Sequence, residues 1–218
     1  FLIGSALMVG MVDVPVLVAL VGTSGSVSAQ SALLLAPLTL AIAAGALASG
    51  PIANRIGTFA LAITGAGLTA AGYGMVTLFL DAAALWRMRI GLAVAGIGIG
   101  LLLAPLSAVA LDASDSQTRG SAVSMALMFR LLGMTIGMSL LTAAGVYRLQ
   151  VLTGRLDPVV QGANEATADY LARQQQFVED HVVPLSVQVM QETFIAAAVL
   201  ALIAVVPVWR MRHDDGTG

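Results

Sequence analysis

The chain has 218 residues, of which 58% are hydrophobic and 10% are charged, and its formal net charge is −2. Soluble domains carry a charge on roughly a quarter of their residues, so this composition excludes a surface that faces only water, and the charge gives no sign of a nucleic-acid partner. The absence of cysteine excludes disulfides and thiolate metal sites.

Six apolar runs each come close to the about 20 residues that a helix needs to cross a bilayer. Backbone polar groups must find partners inside a membrane, so we expect each run to be an α-helix. The chain starts inside an apolar run without an initiator Met, and we interpret residues 1–218 as a fragment forming one all-α membrane domain. The predicted transmembrane spans are Leu2–Val21, Ser31–Ser49, Thr58–Leu80, Ile90–Leu111, Gly120–Gly145 and Thr193–Trp209.

The first span contains an acidic residue, Asp13, two residues before Pro15. An ionisable group inside an apolar span is costly and is by default a functional hypothesis. Because burial favours the neutral form of a carboxyl group, Asp13 could take up and release a proton during a conformational cycle. The alternative is that Asp13 caps a half-helix or faces a polar vestibule.

A short segment with one charge, Ala48–Gly57, connects the second and third spans. A connection this short predicts two antiparallel helices that lie side by side. Gly50 and Gly57 allow turns and close backbone approach. Arg55 would lie at the membrane surface, where it can meet lipid phosphates or the carboxyl end of a neighbouring helix.

The fifth span contains Arg130, at a depth comparable to that of Asp13 when both are counted from the starts of their spans. The two spans run in the same direction, so the two groups could pair near the midplane, and binding of substrate or a proton would switch the pair. The alternative is that Arg130 packs against helix-end carbonyls or extends to the cytoplasmic surface. Close helix packing is predicted at the glycines of the fourth and fifth spans, Gly96, Gly98, Gly100, Gly133 and Gly137.

A long polar segment, Val146–Glu192, precedes the last span. Its apolar residues recur at helical spacing, which predicts an amphipathic helix on the membrane or against the bundle, bent or ended by Pro184. No metal site is expected at His181, because no second His or Cys is near in sequence. We find no Ser/His/Asp nucleophile set and no HExxH motif, so the sequence predicts no enzyme. The apolar positions of this helix are Leu171, Val178, Val182, Leu185 and Val189.

The sequence Gly50-Pro-Ile-Ala-Asn-Arg-Ile-Gly57 resembles the loop motif G-x-x-x-D-R-x-G of the major facilitator superfamily. Asn54 replaces the acid of that motif, and Thr58-Phe59 replace the basic pair that follows it, so we do not expect the motif's charge relay here. The segments Gly96–Pro105 and Arg119–Gly137 are similar to the superfamily's fourteen-helix drug:proton antiporter branch. The resemblance implies the C-terminal six-helix domain, one half of the fold built as a 3+3 repeat.

The resemblance also implies a function. The first and fourth spans of such a domain line the central cavity, and Pro15 and Pro105 would kink these two helices around a midplane site. The expected activity is proton-coupled export of drugs or other small molecules by alternating access. The alternatives are an importer or facilitator of the same superfamily, and a non-transporting membrane scaffold that binds a partner through residues 146–192.

The expected partners are membrane lipids, the N-terminal transmembrane domain of the same transporter and a small-molecule substrate, with protons as the coupling ion and no cofactor, metal or nucleic acid. We expect a multi-pass protein of the bacterial inner membrane. Arg55, Arg119 and the C-terminus would lie in the cytoplasm, and the segment at 146–192 would lie on the extracytoplasmic side.

Overall fold

The structure is a computed structural model that describes residues 1–21, 27–80, 85–112, 119–156, 160 and 166–206. For residues 20, 21, 27, 28, 85, 104–112 and 119 it describes the backbone only. All regular secondary structure in the described part is helical, as an apolar chain in lipid requires.

Seven α-helices and one π-helical turn make up the described chain. Six helical stretches are long and apolar enough to cross a membrane, the last of them formed by the final two helices and the π-helical turn together. The prediction of an all-α protein with six candidate spans is confirmed. The helices are α1 (Leu2–Val21), α2 (Val27–Ile56), α3 (Thr58–Leu78), α4 (Leu85–Asp112), α5 (Arg119–Thr153), α6 (Thr167–Phe177) and, after the π-helical turn Val178–Val182, α7 (Val183–Ile203).

Helix α4 packs against both α2 and α3, and these two helices contact each other far less than either contacts α4. Glycines on two faces of α4 explain this arrangement. A Cβ atom at Gly96 or Gly100 would collide with the backbone of α2, and one at Gly91 or Gly98 would collide with α3. The predicted close packing at the α4 glycines is therefore confirmed. Helices α2 and α3, which the short connection predicts to lie side by side, do contact each other, but α4 packs far more extensively against each of them.

Helices α1 and α5 run parallel, as predicted. The Ser5 hydroxyl of α1 donates to the Gly133 carbonyl oxygen of α5 at 2.8 Å, and Gly137, one turn further along α5, leaves room for the Ser5 side chain. Helix α7 packs against both α1 and α3. The core extends over α1, α2, α3, α4 and α7. The largest fully buried side chains of the described chain include Tyr73, Phe194, Leu34, Leu38, Leu61, Leu92 and Ile99.

Several helices are longer than the spans that hydropathy predicts. Helix α2 continues to Ile56, so Gly50, Asn54 and Arg55 lie in its last turns and only Gly57 forms the connection. Helix α5 has 35 residues, or about 52 Å, which exceeds the about 30 Å of a bilayer core. The apolar length indicates which part of a helix contacts lipid, whereas backbone hydrogen bonds can extend the helix beyond that part.

The segment before the last span is helical at all five apolar positions from which its helix is predicted. That helix begins at Thr167 and leads through the π-helical turn into α7, and α5 continues to Thr153 on the other side of the segment. Pro184 lies in the first turn of α7, where a missing N–H is tolerated. Leu171 and Val178 are exposed. The predicted end of the last span, Trp209, and the C-terminus lie outside the described residues.

Candidate functional site

Asp13 lies near the middle of α1, about 17 Å along the helix from Leu2 and about 12 Å from Val21. The residue is only partly exposed, and it lines a cavity of about 300 Å³ between α1, α5 and α7, which we call the Asp13 cavity. The carboxyl group thus lies among helices of the bundle and away from the ends of α1.

The hydrogen-bond partner of Asp13 among the described residues is Thr193 of α7. The Thr193 hydroxyl oxygen lies 2.5 Å from Asp13 Oδ2. The same hydroxyl lies 2.8 Å from the Met190 carbonyl oxygen, one turn earlier in α7. The single proton of the hydroxyl can be donated to one of these acceptors at a time.

Two contacts hold this turn of α7 in place from opposite sides. On the buried side, the Phe194 ring packs 5.8 Å from the Tyr73 ring of α3, and the Tyr73 hydroxyl donates to the Ala6 carbonyl oxygen of α1 at 2.6 Å. On the exposed side, Arg148 of α5 forms an ion pair with Glu192 at 3.1 Å. Thr193 is therefore presented to Asp13 by a turn that is tied to α1, α3 and α5.

The rest of the Asp13 cavity is predominantly apolar. Besides Asp13 and Thr193, its polar side chains are Thr142 and Ser186, and Ser186 donates to the Val182 carbonyl oxygen of its own helix at 2.8 Å. Such a wall suits an apolar molecule with few polar groups. The other lining residues are Met8, Val9, Val12, Val16, Met138, Leu141, Gly145, Val146, Leu149, Val189 and Met190.

The structure does not bring Arg130 to Asp13. Arg130 lines a different cavity of about 260 Å³, together with residues of α1, α4 and α5. The register set by Ser5 and Gly133 places Asp13 level with the region of Gly145, about 22 Å along α5 from Arg130. The buried Nε atom of Arg130 has no hydrogen-bond partner among the described residues.

The two predicted proline positions lie in different surroundings. Pro15 lies inside α1, two residues beyond Asp13. Pro105 lies in α4, where only the backbone is described. Helices α1 and α4 contact each other little, and none of the α4 side chains that the structure describes lines the Asp13 cavity. The structure also places Pro37 and Pro51 inside α2.

The residues of the Gly50–Gly57 motif lie apart from both cavities. Gly50, Asn54, Arg55 and Gly57 are all exposed. Gly57 has φ 83° and ψ 154°, a conformation that other residues rarely adopt. In the described part of the chain no three His, Asp or Glu residues cluster as metal ligands would.

Sequence reasoning identified Asp13 and missed Thr193. A threonine is compatible with an apolar span, so it draws no attention by itself. One sequence feature could have identified Thr193. An isolated carboxyl group in one span requires a hydrogen-bond donor from another span, and Thr193 is among the few polar residues of the last span.

Comparison with known proteins gives a consistent result. No protein-family model matches the chain. Over 187 residues the chain is 34% identical to the triacylglyceride transporter of Mycobacterium tuberculosis, and the alignment covers 79% of the chain and 36% of that protein. A triacylglyceride transporter of Mycolicibacterium hassiacum is 33% identical over 155 residues, covering 66% of the chain and 29% of that protein.

The chain thus spans about a third of the length of the curated relatives it matches. A probable triacylglyceride transporter of Mycobacterium bovis is also 34% identical over 187 residues, covering 79% of the chain and 36% of that protein. These relatives are named as transporters and not as enzymes. The comparison therefore agrees with the prediction of a multi-pass membrane protein, and it confirms the prediction that the chain is not an enzyme.

Proposed function

We propose that the chain is the C-terminal six-helix domain of a major facilitator transporter that exports a lipid-like molecule by alternating access, driven by protons. The observation that carries this proposal is the carboxyl group of Asp13 in the mostly apolar cavity between α1, α5 and α7. An ionisable group at such a place is costly to keep and therefore indicates a function.

The lining of the Asp13 cavity favours a lipid over a polar substrate. Its walls are mainly aliphatic, and Met8, Met138 and Met190 can adapt to flexible chains. Its volume of about 300 Å³ lies at the lower end of ligand pockets, so it suits one branch of an acylglycerol, with the remainder of the site supplied by the rest of the protein. The names of the relatives support this substrate class.

Protonation of Asp13 couples transport to the proton gradient. A carboxylate in a closed apolar cavity is unfavourable, because closure removes its contact with water. Protonation on the outer side, where proton activity is higher, removes the charge and lets the empty cavity close and return to the cytoplasmic side. Release of the proton there restores the charge, and a hydrogen-bond donor of the entering lipid-like molecule replaces the lost water and permits outward reorientation. Protonation on the outer side then ends this interaction and releases the molecule.

Arg130 is a second proposed coupling group, separate from Asp13. Its buried Nε atom, without a partner in the described structure, carries a proton that an incoming acceptor can bind. In this proposal Arg130 and Asp13 act at different depths and do not form the pair that the sequence predicts.

Two other functions are less well supported. An importer or facilitator would use the same cavity without the outward proton-coupled step. A membrane scaffold would use residues 146–192 for docking, but much of that segment is the helical continuation of α5 and α7, and the relatives are named as transporters.

The test uses the complete protein in proteoliposomes, with a fluorescent acylglycerol and an imposed pH gradient. We expect Asp13→Asn to abolish the gradient dependence of lipid movement, because the amide cannot exchange protons, while gradient-independent exchange persists. Asp169→Asn, at an exposed position of α6, is the matched control and should behave like the wild type.

Unchanged coupling in Asp13→Asn would contradict the role of Asp13. A second comparison replaces the acylglycerol by a lipophilic cation. Faster coupled movement of the cation than of the acylglycerol would favour drug export over lipid export.

A further inference from the structure

The hydroxyl group of Thr193 is placed so that it can serve Asp13 in both of its protonation states. Its oxygen is within hydrogen-bond distance of Asp13 Oδ2, at 2.5 Å, and of the Met190 carbonyl oxygen, at 2.8 Å. A hydroxyl donates one proton and accepts with its lone pairs. It can therefore donate to one neighbour and accept from the other.

When Asp13 is ionised, the Thr193 hydroxyl donates a hydrogen bond to Oδ2. The Met190 carbonyl then needs no hydroxyl donor, because it lies within a helix and accepts a backbone hydrogen bond there. When Asp13 is protonated, the carboxyl donates to the Thr193 oxygen, and the threonine proton turns to the Met190 carbonyl, which has a second lone pair. Both arrangements use the same oxygen positions. Only the hydroxyl proton of Thr193 rotates, and no covalent bond of Thr193 breaks.

We propose that Thr193 is a positioning residue that lets Asp13 gain and lose its proton without leaving a buried polar group unpaired in either state. The proposal rests on the proposed function of Asp13 and adds the residue that makes its protonation reversible. The exchanged proton comes from water on one side of the membrane and leaves to water on the other. Thr193 keeps its own proton throughout.

Other ionisable groups near Asp13 have their own partners or lie further away. Tyr73 donates to Ala6, and Arg148 pairs with Glu192 on the exposed side. No other ionisable side chain lines the Asp13 cavity in the described chain. The remaining described ionisable side chains on helices that contact α1 are Arg55 of α2, Arg87 and Arg89 of α4, and Arg130 and Tyr147 of α5.

The test compares Thr193→Val, which keeps the shape and removes the hydroxyl, with Thr193→Ser, which keeps the hydroxyl. The readout is the pH midpoint of proton-driven acylglycerol movement by the complete protein in proteoliposomes. We expect Thr193→Val to move the midpoint to higher pH by about one unit, because a hydrogen bond to the ionised carboxyl is roughly twice as strong as one to the neutral group. Thr193→Ser should retain the wild-type midpoint.

The infrared carbonyl band of protonated Asp13, identified by its loss in Asp13→Asn, gives a second readout. It should shift in Thr193→Val and remain in place in Thr193→Ser. If Thr193→Val does not fold, Thr193→Ala replaces it with the same expectation.

An unchanged midpoint and band in Thr193→Val would overturn the inference, and so would equal shifts in the valine and serine variants, which would indicate packing. In either case loss of coupling in Asp13→Asn would leave the proposed function intact. Retained coupling in Asp13→Asn would instead refute the proposed function itself, and the inference with it.

Discussion

At the scale of single residues, two glycines of one motif occupy opposite backbone environments. Gly57 has the positive φ of 83° and links α2 to α3, whereas Gly50 lies inside α2 with nothing within 4 Å of an added Cβ atom. We expect Gly57→Ala to lower the free energy of unfolding by about 1–3 kcal/mol. Gly50→Ala should be neutral or stabilise by up to about 1 kcal/mol. Thermal unfolding of the complete protein in detergent measures both, and equal effects would contradict the backbone argument.

The unpaired Nε atom of Arg130 leads to a second prediction at this scale. We expect Arg130→Met to abolish proton-driven lipid movement while the unfolding temperature stays the same or rises, since the substitution removes a buried donor without a described partner. Arg155→Met, at an exposed position, is the control. Wild-type flux in Arg130→Met would show that Arg130 has no coupling role.

The residues also show what sequence can and cannot predict. A charge among apolar neighbours identifies Asp13 directly. Its partner Thr193 becomes visible only when α1 and α7 are known to be adjacent. The expected meeting of Asp13 with Arg130 relied on depths counted from the ends of the predicted spans, and the register between Ser5 and Gly133 separates the two residues instead.

At the scale of helices, the glycines of α4 determine which neighbours it can approach. A Cβ atom at Gly98 would meet the backbone at Gly65 and Thr69 of α3, whereas Gly67 has open space. We expect Gly98→Ala to lower the free energy of unfolding by about 1–3 kcal/mol through overpacking. Gly67→Ala, on the exposed face of α3, is the matched control. Equal unfolding temperatures for the two variants would show that α3 and α4 relax without cost.

The number of spans follows from apolar length, but the ends of the helices do not. Pro51 removes one hydrogen bond from α2, yet the helix continues for another turn because the remaining backbone groups still pair. A polar segment such as the one after Gly145 can likewise remain helical in water. Hydropathy therefore locates the lipid contact of each helix and leaves its termini undetermined.

At the scale of the whole molecule, the packing order α2–α4–α3 could have been anticipated in part from the alternating glycines, Gly96, Gly98 and Gly100. The position of α7 against α1 and α3 depends on buried contacts such as that of Phe194 with Tyr73, and no local pattern encodes such a contact. The 3+3 repeat and the superfamily assignment remain proposals. Both concern more than this chain, because the alignment covers only 36% of the Mycobacterium tuberculosis relative.

The membrane orientation of the whole molecule can be tested because the chain contains no cysteine. The connection at Gly57 and the segment around Val160 are separated by three candidate spans, α3, α4 and α5, so they must lie on opposite sides of the membrane if all three cross it. Arg55 is exposed beside the first connection, and Val160 is exposed in the second.

We expect Arg55→Cys to react with a membrane-impermeant maleimide only after the cells are opened, and Val160→Cys to react in intact cells, because short arginine-bearing loops favour the cytoplasm. The complete protein, with any cysteines outside this chain replaced, is the background, and the variant without an introduced cysteine gives the zero level. Labelling of both positions in intact cells would refute the six-span arrangement. The reversed pattern would keep the spans and place the Gly50–Gly57 motif outside, against a cytoplasmic position for Arg55.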